Sequence, residues 1–350
     1  MVSRRVNVSH VRPLDISRDL MPVADILEQG FEDEMDALGQ RIIRQMRLIG
    51  RWGGMLAGLG SLLFPDASLG PGFVWVDEGQ VRGTLSLRRA ETYDASLRND
   101  ASLGPRAGWP AGSGWLIGNV AVKATHRRRG IARALMNETI EHVRRQGGKS
   151  IRLLVRADNL PAVRLYSGLG FRQTGALAYW QRPPEARRRL NTQGEAAGGL
   201  PREISLRRAR SGEWRQVYDL ASAGQAVELD WAEPVRRSDF YTAWDQKLED
   251  WIERRRRIVL VAESRYGIAG VVQAIVFRPP EEGRLRVWVG PDYCGRLEAA
   301  LLSAALRELA APLSALVCTF LAKQMPMYTA LAGCGFLPTR ILAHMRLDLH

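Results

Sequence analysis

Lysine is scarce: it stands only at positions 123, 149, 247 and 323, although Lys and Arg together number 50. Arginine therefore carries the net charge of +13. Such a bias follows from a GC-rich genome as readily as from a phosphate-binding surface, and a net charge far from zero mainly governs solubility and non-specific binding. Cysteine is scarce too. Cys294, Cys318 and Cys334 form no CxxC pair, and an odd, widely spaced set argues against a disulfide framework or a zinc site. The histidines show no metal-ligand spacing, so no metal is expected. Long apolar runs are also missing. The opening MVSRRVNVSH has basic residues with no apolar stretch behind them, so no signal peptide is expected. The nearest approach to a membrane segment is 42–64, interrupted by Arg44, Arg47 and Arg51. Its uninterrupted part, Trp52 to Phe64, is shorter than the roughly 20 apolar residues a span needs. Peripheral attachment of this amphipathic piece stays open, but a core helix or pocket wall is the preferred reading, and the cytoplasm is the expected location.

What is present is a globular composition, 46% hydrophobic and 25% charged over 350 residues, enough for two domains of ordinary size. Residues 181–203, QRPPEARRRLNTQGEAAGGLPRE, combine prolines, an arginine run and Gly-Gly without apolar periodicity. That stretch reads as a connector, giving domains at 1–182 and 203–350 around a linker at 183–202. In the first, NVSHVRPL predicts a strand and 18–63 helices. Residues 73–89 predict a hairpin around Asp77-Glu78-Gly79-Gln80. GWLIGNVAV (114–122) predicts a buried strand, followed by a helix that Gly147-Gly148 stops. SIRLLVRA predicts a strand, the segment from Asn159 to Gly168 a short helix, and Phe171 to Trp180 an extended segment. Asp-Ala-Ser-Leu recurs at 66–69, 94–97 and 100–103, and the stretch 91–113 reads as an insertion, with a substrate lid as the other reading. The second half repeats the order in shortened form. The fold class is thus α/β with two tandem copies, each a mixed, mostly antiparallel sheet flanked by helices.

The stretch THRRRGIARAL (125–135) follows the buried strand. A helix opening on Gly130-Ile131-Ala132 presents unpaired N–H groups and a favourable dipole to an anion. Gly130 removes the Cβ that would keep a phosphate from the backbone, and Arg127, Arg128, Arg129 and Arg133 add charge around the same point.

Arg127-x-x-Gly130-x-Ala132 resembles the acyl-CoA pyrophosphate loop of the GCN5-related N-acetyltransferase (GNAT) superfamily. VRADNLPAVRLYSGLGFRQTG (155–175) resembles that family's strand–Asn–helix–Leu-Tyr-x-x-x-Gly-Phe segment, and the 73–89 hairpin its second and third strands. The resemblance covers roughly residues 6–180. It implies that the Val120, Ala121 and Val122 backbone pairs with the pantetheine arm of acetyl-CoA, the co-substrate. It implies also that N–H groups of residues 127 to 132, Ile131 among them, hold the pyrophosphate. Asn159 would contact the cofactor near the thioester, and Tyr166 would be the general acid for the departing thiolate. Read by themselves, Tyr166 is a half-buried helix aromatic and Asn159 a helix N-cap ahead of Pro161.

The function so implied is N-acetyl transfer to a primary amine by direct attack in a ternary complex. The alternative is a non-catalytic CoA-binding regulator or a nucleic-acid-associated protein using the basic surface. No helix-turn-helix or stacking-aromatic motif accompanies Arg187–Arg189 or Arg254–Arg257, so nucleic acid is the lesser expectation. Many family members carry a Glu on the fourth strand, where WLIGNVAV has only Asn119. A base could come from Glu28, Glu32, Asp33, Glu34 or the long loop. A lysine acceptor of pKa about 10.4 costs roughly 4 to 5 kcal/mol to deprotonate at pH 7, an α-amine near 8 only about 1.4, which tilts toward an α-amine or a small amine. Antibiotic, polyamine, amino acid, peptide N-terminus and protein lysine all stay open as acceptors.

Aligning ALAGCGF (330–336) with LYSGLGF (165–171) puts Leu331 at Tyr166, Gln324 at Asn159 and Pro326 at Pro161. Upstream, VGPDYCGRLEAALL keeps Gly295 but loses the Arg-x-x-Gly-x-Ala pattern, and Glu298 near the helix start would oppose a phosphate. The second copy is therefore expected to bind acyl-CoA poorly, not to catalyse, and to pack against the first. The rival expectation is an independent ligand-sensing or partner-binding module.

Overall fold

The computed structural model describes residues 9–32, 35, 37–52, 72–89, 114–186, 200–224, 235, 237–240, 255–277, 282–309 and 315–349. The Asp-Ala-Ser-Leu repeats, the 91–113 stretch, Asp33, Glu34 and residues 187–199 of the expected connector lie outside them. The chain forms two compact units that interleave along the sequence. The first comprises 1–155, 159–173 and 344–350, the second 156–158 and 174–343.

In the first unit, β1 (His10–Pro13) leads to α1 (Ile16–Gly30) and α2 (Ala37–Trp52). Asp15 caps α1 by accepting the Ser17 N–H at 3.0 Å, supplying a partner for one of the orphan donors of its first turn. Leu20, Val23, Ala24 and Leu27 recur at helical spacing and are buried. They pack on Val74, Val76, Val81 and Ala121 of the sheet. The strands β2 (Gly72–Asp77) and β3 (Gln80–Arg89) join through a two-residue turn in which Glu78 and Gly79 have φ of 50° and 73°. Two positive φ values match the right-handed twist of the flanking strands.

The strand β4 (Gly114–Val122) pairs antiparallel with β3, and β5 (Ser150–Arg156) pairs parallel with β4. Between them lies α3 (Ile131–Arg145), whose buried Ile131, Leu135, Met136, Ile140 and Val143 form one apolar stripe. Its first turn lies directly on β3. A Cβ at Gly83 would stand 2.9 Å from the Ile131 side chain. As the sequence predicts, α3 stops at the glycine pair: Gly147 has φ 70°, and the N–H groups of Gly148 and Gly147 donate to Val143 O and Arg144 O at 2.9 Å each. Then comes α4 (Leu160–Ser167). The unit also includes the end of the chain: the Leu349 N–H donates to Lys149 O at 2.8 Å, and Leu347 lies against Gly170.

The second unit repeats the plan. Its strands β7 (Ser205–Arg208), β8 (Arg256–Ser264), β9 (Gly267–Val276) and β10 (Gly283–Val289) form an antiparallel run. α5 (Trp214–Gly224) packs on β9 and β10. Next come α6 (Glu298–Leu309), β11 (Leu316–Leu321), α7 (Met325–Gly333) and β12 (Leu337–Asp348). β10 pairs parallel with β11. β6 (Arg172–Arg182) pairs antiparallel with β11, from Leu177↔Leu321 to Arg182↔Leu316. Each unit is thus a mixed, mostly antiparallel sheet flanked by helices.

Candidate active site

Two adjacent strands part at the centre of the first unit. β4 and β5 are paired only over Gly114–Ile117 and Ser150–Leu153, although both strands continue. The cause sits on β4. Its register with β3 runs Ala121↔Thr84 and then Gly118↔Ser86, so Asn119 and Val120 oppose the single residue Leu85. Asn119 has φ 54°, a left-handed conformation that asparagine tolerates better than most residues. This bulge bends β4 away from β5. Of the sequence-predicted residues, Val120 forms part of the bulge, and Ala121 and Val122 lie beyond it, paired with β3 on one edge.

β4 runs straight into the basic turn. Ala124–His126 form one 3₁₀ turn, Arg128 has φ 62° and Gly130 φ 80°. Residues alternating with left-handed ones turn successive N–H groups toward one side, the geometry of an anion nest. α3 begins at Ile131 with no side-chain cap, which leaves the first-turn N–H groups for an outside partner. A Cβ on Gly130 would meet nothing within 4 Å, so the glycine serves its backbone angle and an open approach rather than packing. Arg127, Arg128, Arg129 and Arg133 are exposed around this cradle, and Arg127 Nε donates to Val122 O at 3.2 Å. Burial, then Arg82 and Arg129, push the His126 imidazole below its ordinary pKa. The residues present fit a diphosphate.

Of the two α4 residues, Asn159 is exposed and caps the helix, its Oδ1 accepting the Ala162 N–H at 3.2 Å. Tyr166 is 6% exposed, its ring 6.1 Å from that of Phe171, and burial pushes its phenol up to about 12. Seven residues apart on a helix, the two are about 10 Å apart along its axis. α4 and the cradle meet at Gly168, where a Cβ would be 3.4 Å from the Arg133 guanidinium.

Among the base candidates, Glu28 shares Arg47 with Asp25, each at 2.7 Å, and Glu32 is exposed.

The second unit supplies an internal control. Gly290 N–H donates to Ala269 O at 2.8 Å, as Lys123 N–H does to Arg82 O at 2.9 Å, which aligns the two turns residue for residue. Gly295, with φ 81°, then stands where Arg128 does, Leu297 where Gly130 does, and Glu298 where Ile131 does. Glu298, 5% exposed, accepts the N–H groups of Gly295 at 2.9 Å and Leu297 at 3.2 Å. The nest of the second unit is filled by its own carboxylate. The Phe336 N–H donates to Leu331 O as Phe171 does to Tyr166 O, so the fully buried Leu331 is the counterpart of Tyr166.

Residues 54–171 match the acetyltransferase (GNAT) family model. The Escherichia coli K12 [ribosomal protein bS18]-alanine N-acetyltransferase is 38% identical over 55 residues, 16% of this chain. The match spans 37% of that relative's length. A GCN5-related N-acetyltransferase from Sphaerobacter thermophilus has the same fold with a TM-score of 0.59 at 14% identity, over 97% of this chain and 95% of that one. A tandem GNAT protein from the clavulanic acid biosynthesis pathway gives 0.53 at 16% identity, over 97% and 98%.

Two features of the first unit have no signature in the local sequence pattern. The bulge at Asn119 has no apolar-pattern signature, since GWLIGNVAV reads as one continuous strand; the polar Asn next to Gly118 was the available signal. The pair Arg82 and Lys123 was hidden among many basic residues and is brought together only by the pairing of β3 with β4.

Proposed function

We propose that the GNAT domain transfers an acetyl group from acetyl-CoA to a primary amine by direct attack in a ternary complex, and that the amine is an α-amine. The observation that carries this reading is the fork between β4 and β5 ending in an open anion nest. The N–H groups from Arg127 to Ala132 hold the pyrophosphate, with Arg127, Arg128, Arg129 and Arg133 adding charge. The edge of Val120 to Val122 that β5 leaves uncovered takes the pantetheine amides as an added strand, Arg127 releasing Val122 O as it turns to the pyrophosphate. An N–H at the bulge donates to the oxyanion as the amine attacks the thioester carbonyl.

Tyr166 then faces the departing thiolate. Complete proton transfer from a phenol near 12 to a thiolate of reference pKa about 8.5 is uphill by about 5 kcal/mol. Tyr166 therefore works as a hydrogen-bond donor that stabilises the leaving sulfur, and water delivers the proton. Asn159 contacts the cofactor with the amide group that its capping bond leaves available.

The acceptor class rests on two supports. β4 offers Asn119 and no carboxylate, which suits an amine that costs about 1.4 kcal/mol to deprotonate at pH 7 better than one costing 4 to 5. The relative matched over 55 residues is named for acting on an alanine. The second unit is non-catalytic, with Glu298 in its nest and Leu331 in place of the tyrosine.

The test incubates the full chain and acetyl-CoA with one peptide bearing a free N-terminus, its N-blocked form carrying an internal lysine, and a polyamine. Thiol release and product mass are the readouts. Acetylation of the free N-terminus alone is expected. Acetylation of the blocked peptide would reject the α-amine assignment, and tight CoA binding without transfer would favour the non-catalytic CoA-binding reading.

A further inference from the structure

Two half-buried cations of the first unit, Arg82 and Lys123, have no carboxylate partner among the described residues. Arg82, on β3, is half-buried, and its Nε is sealed from solvent without an acceptor. Lys123, at the end of β4, is half-buried as well. Among the described residues no carboxylate pairs with either. Both line one open cleft of about 530 Å³ between α1 and the β2–β3 turn.

The acidic groups of that cleft are already engaged. Asp19 accepts both Arg12 Nη1 and Nη2, the latter at 2.7 Å, together with the Asp15 N–H at 2.8 Å. Asp25 and Glu28 share Arg47, and Arg18 lies 3.1 Å from Asp15. Among the described residues of the cleft, Arg82 and Lys123 are the cations left without such a partner. The backbone bond from Lys123 N–H to Arg82 O holds the two together at the root of the nest. His126, farther along the turn, is pushed down by burial and then by Arg82, Arg129 and Lys123, against the opposing pull of Asp77, 3.8 Å away.

The fold does not need these charges. In the second unit, with the same backbone bond, Ala269 and Gly290 take the two places. Half-buried cations that are neither paired nor structurally required are costly until an anion joins them.

We propose that Arg82 and Lys123 form a phosphate subsite beside the 127–132 nest. The phosphate is either the 3′-phosphate of the acyl-CoA held in that nest or that of a separate small molecule. Only the first source rests on the acyl-CoA reading above.

Titration calorimetry of the full chain with CoA, 3′-dephospho-CoA and inorganic phosphate separates the sources. The variants are Arg82→Gln, Lys123→Gln and the conservative Arg82→Lys, with melting curves to verify folding. Because Lys123 is not in the core, its variant carries the test should Arg82→Gln fail to fold. If the phosphate is that of CoA, the wild type prefers CoA over dephospho-CoA by tenfold or more. Both Gln variants then erase the preference, and Arg82→Lys keeps part of it. If the source is separate, the two cofactors bind alike, and inorganic phosphate binds the wild type but neither Gln variant. The proposal is overturned if both variants bind all three probes as the wild type does. It is overturned too if they weaken CoA and dephospho-CoA equally with no response to phosphate, or if no probe binds the wild type. Absence of CoA binding with retained phosphate binding would instead reject only the acyl-CoA reading.

Discussion

The Glu298 carboxylate accepts the Gly295 N–H at 2.9 Å, closing from within the same turn that the first unit leaves open at Gly130. One fold, used twice, thus has one anion nest available and one self-occupied. The expected stoichiometry is one CoA per chain, by calorimetry, even at high ligand concentration. Glu298→Ala should cost on the order of 1 kcal/mol through loss of the cap, seen as a lowered melting temperature. A second CoA bound by the wild type would contradict the occlusion.

Gly130 has φ 80°, so Gly130→Ala places a Cβ in a left-handed conformation at a cost of roughly 1–2 kcal/mol. The added methyl meets no protein atom within 4 Å, so it obstructs the ligand alone. Weakening of CoA by tenfold or more is expected alongside a small loss of stability. Unchanged CoA affinity would remove Gly130 from the binding loop.

Tyr166→Phe should lower kcat by ten- to a hundredfold while KM for acetyl-CoA changes little, as measured by steady-state kinetics. The pKa pushed up to about 12 means the phenol stays protonated across the working range. An alkaline decline in rate below pH 10 therefore comes from another group. Its folded value lies above the unfolded value of about 10, so Tyr166 contributes stability fully below pH 10 and loses it between about 10 and 12. Alkaline melting of Tyr166→Phe should be flatter than wild type in that window.

Glu213 is held at about 2 by hydrogen bonds from Arg207, which it shares with Glu263. A depressed folded pKa contributes stability above the unfolded value near 4.5 and loses it as pH falls toward 2. Acid melting of Glu213→Gln should therefore be less steep than wild type from pH 5 to 2. Identical slopes would mean the Arg207 contact is not maintained in solution.

Removing His344–His350 takes Leu349 from Lys149 and Leu347 from Gly170. A chain ending at residue 343 should melt lower and lose acetyl transfer, although every GNAT motif residue is still present. Full activity in that truncation would show the first unit to be complete without the end of the chain.

Local chemistry made much of the site legible. Gly130 and Gly147-Gly148 mark helix ends through their backbone freedom, Asn159 marks a cap ahead of Pro161, and the Asp77–Gln80 turn marks a hairpin. Each depends on neighbours within a few residues. Glu298 was legible as an obstacle to phosphate; that it occupies the nest itself required the positions of Gly295 and Leu297. The Asn119 bulge was not legible, because one extra residue on β4 is defined only against β3.

The amino-acid sequence by itself determined the order of strands and helices, the duplication, and the glycine-led turn of the first copy against the acid-blocked turn of the second. Short-range sterics and hydrogen bonding suffice for these. Only the tertiary structure decided where β4 leaves β5, that Arg82 and Lys123 come together in one cleft, and that β6 joins β11 while the last residues return to β5. Strand pairing and ion pairing are long-range choices between residues far apart in the chain, and no local pattern specifies them.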